Sequence, residues 1–368
     1  MKIQNVTIYQ VDLPLKFTFH TAAAVLNHRE TLILKVTDCD GNVGFGETVS
    51  FSTPFYTQET LYASLQILRE EYVPAILGKE ISHPFELHSR IGQQFPMAAS
   101  GLEMALFDLY AKKQNQSIVA SVFGEKLRSD IEMGIVIGDI PAGELLEKIR
   151  EYELLGCRRF KIKIKPEDGY ERVKKAVEQF PGLQFAVDAN RSYSIAQLRA
   201  VKRFDGLNLL CMEEPFQFSE VEECRNMQFS IQTPICLDES IQNFSQLERA
   251  VSCHAFQVLN LKVGKSGGLF YVKQMIAYCR KNRIRYWIGS MVESGISKML
   301  HVQLAGLTDT YMAGDLSDSR RYFETDLIRP EISFTNGSMK FPQRPGLGVV
   351  VDENILSQKT VHVWKMEG

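Results

Sequence analysis

Hydrophobic and polar residues alternate in two rhythms along the chain, and the rhythm changes near residue 130. Before it, residues 6–14, 31–38 and 43–50 are rich in β-branched and aromatic side chains, and Asp40-Gly41-Asn42 is a hairpin signal between the last two. Helical stretches follow at 58–72, 85–91 and 97–113. In the last, Met97, Leu102, Ala105, Leu106, Leu109 and Tyr110 recur at mostly helical spacing. Strands grouped ahead of helices predict an α+β layer over residues 1–125.

From residue 131 onward strands and helices alternate. Short apolar strands are predicted at 131–138, 159–164, 184–188, 208–213, 234–238, 256–262, 285–290 and 310–315. Between them lie amphipathic segments such as 143–154, 170–179, 195–204 and 270–281. Eight such units predict a (β/α)8-type barrel, with a doubly wound open sheet as the alternative. After the eighth strand the helical signal fades. Pro330, Asn336-Gly337, Pro342 and Pro345-Gly346-Leu347-Gly348 mark loops and short strands, expected to return to the N-terminal layer. The expected division is therefore 1–125, 126–320 (the barrel) and 321–368.

Composition narrows the function. The 368 residues carry 42 Lys plus Arg against 44 Asp plus Glu, a net charge of −2, so neither a nucleic-acid footprint nor a polybasic membrane patch is present. No apolar run is long enough to span a bilayer. The start, Met1-Lys2-Ile3-Gln4-Asn5-Val6-Thr7-Ile8, alternates like a strand rather than a signal peptide. The seven cysteines are scattered without C-x-x-C pairs, as reduced thiols of a cytoplasmic protein would be. The seven histidines show no metal-ligand spacing. Gly264-Lys265-Ser266 resembles a phosphate loop, but Leu259 stands where that loop needs its first glycine. Gly41, Gly44 and Gly46 lie in a hairpin, not ahead of a helix, and make no dinucleotide fingerprint.

A barrel of this kind presents its active site at the C-terminal ends of its strands. Lys161 and Lys163 share one strand face, while Phe160, Ile162 and Ile164 share the other and should pack on the outer helices. The lysines then point inward. The same parity turns Asp188, Glu213 and Asp238 inward on adjacent strands, each 25 positions after the last. Three converging carboxylates would repel unless a cation sat among them, and oxygen-only ligation favours Mg²⁺, with Mn²⁺ as the alternative. Lys163 and Lys262, on the strands flanking that set, should face each other across the metal. A substrate carboxylate would place its α-carbon between them for proton abstraction, giving an enediolate. Lys161, the metal and burial would all push the pKa of such a base down.

These residues make the chain similar to the enolase superfamily, in its muconate-lactonising subgroup, and within that to the o-succinylbenzoate synthases and N-acylamino acid racemases. The resemblance spans essentially the whole chain. It is carried by Gly44-Phe45-Gly46-Glu47, Pro54-Phe55-Tyr56-Thr57-Gln58-Glu59-Thr60, Gly101-Leu102-Glu103-Met104-Ala105-Leu106-Phe107-Asp108, Lys161-x-Lys163, Asp188-Ala189-Asn190, Asp238-Glu239-Ser240, Met291-Val292-Glu293-Ser294-Gly295 and Gly314-Asp315-Leu316-Ser317 with Arg321-Tyr322-Phe323. It implies an α+β capping domain, built from both chain ends, over a modified (β/α)7β barrel. It implies Mg²⁺ on Asp188, Glu213 and Asp238, and Lys163 and Lys262 as the acid/base pair. Lys161 would tune Lys163, with Asn190 and Glu239 supporting the site and Gly289, Ser290 and Met291 bounding the pocket. Segments 17–26 and 50–58 would close over a small carboxylate substrate. A homo-oligomer is expected, without nucleic-acid or membrane partners. The implied activity is the lyase reaction of the synthases in menaquinone biosynthesis, or racemisation of N-succinylated amino acids. Dipeptide epimerisation, muconate cycloisomerisation and carboxylate binding without catalysis are lesser alternatives. Three departures bear on substrate: Glu214 replaces the usual Gln, Val263-Gly264-Lys265 replaces a stretch with Pro and Arg, and Gly289-Ser290-Met291 replaces Gly-Gly-Met. Asp315-Leu316-Ser317 lacks the second acid typical of dipeptide epimerases.

Overall fold

The computed structural model describes residues 1–20, 25–217 and 221–368. The chain opens with three antiparallel strands, β1 (Ile3–His20), β2 (Val25–Asp38) and β3 (Val43–Thr48). The β2–β3 turn forms because Gly41 takes φ +82° and the Asp38 carboxylate accepts the N–H groups of Asp40 and Asn42. The helix Pro96–Lys113 then packs on this sheet at a distance that only glycine allows. A Cβ on Gly44 would lie 2.1 Å from the Ala105 carbonyl oxygen, and one on Gly46 2.1 Å from that of Gly101. Most of this helix is buried, so it has no polar face: the sheet covers one side and barrel elements the other.

After a short separate strand, β4 (Asp130–Glu132), the barrel strands follow in hydrogen-bonded chain order. They are β5 (Gly134–Ile137), β6 (Arg159–Lys163), β7 (Gln184–Asp188), β8 (Met212–Glu213), β9 (Ile235–Leu237), β10 (Val258–Leu261) and β11 (Arg285–Ile288), all parallel. The expected strand at 131–138 is thus two: β4 pairs instead with β13 (Ser338–Lys340), downstream of β12 (Ile328–Arg329). The expected eighth strand at 310–315 forms no ladder, yet it closes the ring. Tyr311 and Asp315 donate their N–H groups to Tyr286 and Ile288, and the Leu316 carbonyl accepts from Gly134. A Cβ on Gly134 would lie 2.1 Å from the Gly314 carbonyl oxygen, so closure here depends on glycine. Beyond β14 (Val350–Val351), the final strand β15 (Thr360–Glu367) pairs antiparallel with β1 and completes the sheet β15-β1-β2-β3.

Strand parity sorts the barrel residues. Phe160, Ile162, Phe185, Val187, Ile235, Leu237, Leu259 and Leu261 join the large core shared with the outer helices. Their neighbours face inward, where Ala186, Cys211, Cys236, Val258, Trp287 and Met312 fill the barrel floor. Buried carboxylates tie the cap to the barrel. Glu47 accepts from Ser294 N–H and Oγ–H (3.0 and 2.7 Å) and from Ser297 N–H (3.0 Å). Glu103 accepts the first N–H groups of the helix Leu269–Asn282, and Asp108 accepts from Leu347 N–H at 2.8 Å. Among the described residues no helix is long and apolar enough to cross a membrane.

Candidate active site

Above the tryptophan floor, a cavity of about 270 Å³ opens at the strand ends beneath the cap. Lys161, Lys163, Asp188, Asn190, Asp238, Glu239, Lys262, Ser290 and Met291 line it, together with Phe51, Phe55 and Tyr56 from the cap loop and Leu26 from β2. Glu213 is not on the cavity wall but is held by Lys161, which is, while residues 21–24 of the expected closing segment 17–26 lie outside the described residues. The two lysines expected to do the chemistry stand on β6 and just past β10, with three strands between them.

Asp188, Glu213 and Asp238 are each 1% exposed. Asp188 and Glu213 sit side by side in register. Lys163 Nζ is 2.6 Å from Asp188 Oδ2 and 2.6 Å from Asn190 Oδ1, and Asn190 Nδ2 donates to Glu239 at 2.9 Å. Lys161 Nζ lies 3.1 Å from Glu213 Oε2 and 2.8 Å from Asp315 Oδ2. Lys262 Nζ lies 2.6 Å from Asp238 Oδ2. Burial penalises the charged forms of Asp188, Glu213, Asp238, Lys161 and Lys262. It pushes the Glu213 carboxyl well up, reinforced by Asp188 and Asp238. For Asp188 the lysines Lys163 and Lys161 outweigh burial and hold the carboxyl down; for Asp238, Lys262 and Lys265 do so more strongly. Burial likewise opposes the Lys262 ammonium, but Asp238, Glu213 and Glu239 hold it above the usual lysine range. Lys262 thus stands as a counter-charge of the carboxylates.

The donor set bears on a metal. It is oxygen-only, buried and spread over three adjacent strand ends, and its members raise one another's cost of ionisation, which suits a hard divalent cation. As they stand these oxygens meet ammonium groups, and among the described residues no acidic, histidine or cysteine side chains are grouped closely enough to hold an ion. The residues fit a cation by chemistry and placement, not as a preformed cage.

Several participants carry little signal in the sequence. Tyr56 donates to Asp238 Oδ1 at 2.8 Å, accepts from Lys262 Nζ at 2.9 Å, and places its ring 4.7 Å from that ammonium. Asn260 donates to Glu213 at 2.9 Å; its inward parity on the strand ending Asn260-Leu261-Lys262 could have flagged it. Lys265, part of the phosphate-loop-like string, is buried and reaches Asp238 Oδ1 at 2.8 Å and the Asp238 carbonyl. Asp315 is anchored by Arg159 at 2.5 Å, whose guanidinium lies 4.7 Å from the centre of the Trp287 ring.

The Gly289-Ser290-Met291 turn bounds the pocket differently from expectation. The Ser290 hydroxyl donates to Glu293 at 2.9 Å, and the Met291 N–H also donates to Glu293. Glycine at 289 leaves room for the neighbouring side chains, since a Cβ would lie 2.1 Å from Asn260 Oδ1 and 2.9 Å from Lys262 Cε and one of them would have to move. Val292, a β-branched residue on the pocket wall, holds φ +58°, a strained value.

The fold and this lysine–carboxylate arrangement define a class. Residues 3–122 match the family described as Mandelate racemase / muconate lactonizing enzyme, N-terminal domain, and residues 144–355 that described as Enolase C-terminal domain-like. The chain belongs to this enzyme family, within the enolase superfamily. It is 34% identical over 369 residues to an o-succinylbenzoate synthase of Bacillus subtilis, covering 100% of this chain and 98% of the relative. It is 33% identical to an N-succinylamino acid racemase of Thermus thermophilus, covering 95% of each. The crystal structure of an enolase-superfamily member from Listeria innocua superposes with a TM-score of 0.95 at 29% identity, covering 100% of this chain and 99% of that one.

Proposed function

We propose that the chain catalyses dehydration of 2-succinyl-6-hydroxy-2,4-cyclohexadiene-1-carboxylate to o-succinylbenzoate, a step of menaquinone biosynthesis, in the cytoplasm. The observation that carries this reading is the pair Lys163 and Lys262, from strands that are not neighbours, lining one carboxylate-walled cavity. Asp188, Glu213 and Asp238 would hold Mg²⁺, or Mn²⁺ in its place. When bound, that cation supplies positive charge beside the substrate carboxylate, stabilising the enediolate and relieving the carboxylates of their dependence on lysine. Lys163 removes the α-proton as the C–H bond breaks. The C–OH bond then breaks on the same face, and Lys163 returns the proton to the departing hydroxide, so that water leaves. Lys262 remains protonated and stabilises the developing negative charge. Lys161, fixed between Glu213 and Asp315, keeps positive charge beside Lys163. Phe51, Phe55, Val136 and Tyr322 supply an apolar wall for the ring.

A second reading, racemisation of N-succinylated amino acids, is favoured by the same pair: with a lysine on each side of the cavity, the neutral amine of one takes the α-proton while the ammonium of the other delivers a proton to the opposite face, and the roles exchange for the other enantiomer. One assay separates the two. The enzyme is loaded with Mg²⁺, loss of the cyclohexadiene absorbance is followed, and N-succinylated amino acids are incubated in deuterated water at equal enzyme concentration. Dehydration with kcat/KM far above any α-deuteration supports the synthase. Efficient exchange with negligible dehydration replaces it with the racemase, and absence of both activities refutes the acid/base assignment.

A further inference from the structure

The loops after β7, β8 and β9 are joined by a charged pair that the proposed chemistry does not use directly. Glu214 is fully buried and holds φ +40°; Asn190 and Arg191 hold φ +42° and +63°. Left-handed backbone at three non-glycine residues persists only where surroundings enforce it. Here the enforcement is visible. Glu214 Oε1 accepts the N–H groups of Asp238 and Ser240 at 2.9 and 2.7 Å. Glu214 Oε2 accepts the Ser240 hydroxyl at 2.8 Å and Arg191 Nε at 3.2 Å, and Arg191 Nη2 donates to Ser240 Oγ at 2.9 Å. The Arg191 N–H also donates to the Glu214 carbonyl at 2.7 Å.

We propose that Arg191 and Glu214 act as a charge clamp that positions the Asp238-Glu239-Ser240 strand end, and so the carboxylate of Asp238, for a divalent cation. This rests on the metal reading above and deepens it. Glu214 stands directly after Glu213 but does not face the cavity; it is a positioning residue, and its carboxylate is spent on the backbone of the next strand end. A neutral amide at 214 would present one acceptor oxygen and an NH₂ group. It could keep the two backbone N–H groups but would turn a donor toward Arg191. The charge at 214 and the charge at 191 therefore belong together, and removing both should be milder than removing the acid alone.

The test is a double-mutant cycle read by Mn²⁺ binding, followed by calorimetry and by the electron paramagnetic resonance of free Mn²⁺, with the thermal midpoint of the metal-free protein measured in parallel. The proteins are wild type, Glu214→Gln, Arg191→Gln and the double variant. Glu214→Gln should weaken Mn²⁺ binding roughly tenfold, the scale of one lost charge-assisted hydrogen bond. Arg191→Gln, at a partly exposed position on the cavity wall, should weaken it about threefold. The double variant should bind within about threefold of wild type, a rescue that a general loss of structure would not give. Unchanged binding in Glu214→Gln and Arg191→Gln overturns the clamp while leaving the metal site intact. Losses in the two single variants that multiply in the double, without rescue, also overturn it. A wild-type protein that binds no Mn²⁺ overturns both the clamp and the metal reading.

Discussion

Replacing Tyr56 by phenylalanine removes one oxygen that is 2.8 Å from Asp238 and 2.9 Å from Lys262. The ring stays, and with it the contact to the Lys262 ammonium and the packing beside Phe51. Burial, and next Asp238, push the Tyr56 hydroxyl well above its ordinary pKa, so it stays protonated and remains the donor to Asp238 at any working pH. A hydrogen bond to a charged group contributes about 1.5–3 kcal/mol. Asp238 keeps Lys262 and Lys265, so the loss falls mainly on how Lys262 is held relative to substrate. If the full amount is lost from the transition state, kcat/KM falls roughly 12- to 150-fold. Steady-state dehydration assays at saturating Mg²⁺ would show this mainly in kcat, with the thermal midpoint within a few degrees of wild type. Tyr56→Ala, which also removes the ring, should be worse. A Tyr56→Phe enzyme within twofold of wild type would refute the claim that the cap acts on the proposed catalytic lysine, Lys262, through this hydroxyl.

Three further outcomes are expected. Asp188→Asn, Glu213→Gln and Asp238→Asn should each abolish most activity and Mn²⁺ binding, and chelator should inactivate the wild-type enzyme until Mg²⁺ is restored; full turnover in metal-free buffer would contradict this. Gly289→Ala should fold but lose activity by about 100-fold or more, because its methyl group displaces Asn260 or Lys262, where a 1 Å misplacement already costs that much; normal turnover would show that the turn can yield. Burial pushes the Glu293 carboxyl up, but His301 and Lys298 outweigh it and hold it well below the usual range. A carboxyl lowered on folding stabilises the protein above its unfolded pKa, about 4.3, and that contribution drains away as pH falls below it. Urea midpoints should therefore drop more steeply with acid in wild type than in Glu293→Gln, and parallel curves would refute the assignment.

The barrel interior was readable because period-two alternation is a property of each strand alone. Phe160 and Ile162 face out, so Lys161 and Lys163 must face in, and the same reasoning orders Asp188, Glu213 and Asp238. What escaped depends on contacts between distant segments. Nothing near Tyr56 in the chain announces Asp238 or Lys262, and Arg159 meets Asp315 only because the ring closes. The segment 310–315 has strand-like residues, but it meets its neighbours through single hydrogen bonds at Tyr311, Asp315 and Leu316 rather than through a ladder. The Pro96–Lys113 helix shows weak periodicity because it is buried on both sides. That the Ser290 hydroxyl is held by Glu293, three residues on, depends on the fold of the turn and not on residue type.

The buried carboxylates that cross from cap to barrel also limit how this chain could be recombined with a relative. Suppose a crossover fell between the Pro96–Lys113 helix and β5, so that the cap loops came from one parent and the barrel from another. Glu47 would then be parted from Ser294 and Ser297, Glu103 from Leu269 and Phe270, and Asp108 from Leu347. Most of those partners are backbone N–H groups, so residue identity at the joint matters less than whether the incoming loops present their amides at the same place. A mismatch leaves a buried acid with only its partners from within the cap, Thr31 for Glu47, His88 for Glu103, and Lys112 and Phe45 for Asp108, and each lost hydrogen bond to a charged group costs about 1.5–3 kcal/mol. Several such losses together would approach the stability of an ordinary domain, about 5–15 kcal/mol. Exchange of cavity-lining loops such as the one bearing Tyr56 is thus confined to parents whose barrels superpose closely at the starts of two helices, and new cavity walls in this family should arise more readily by substitution within the loops than by shuffling whole caps.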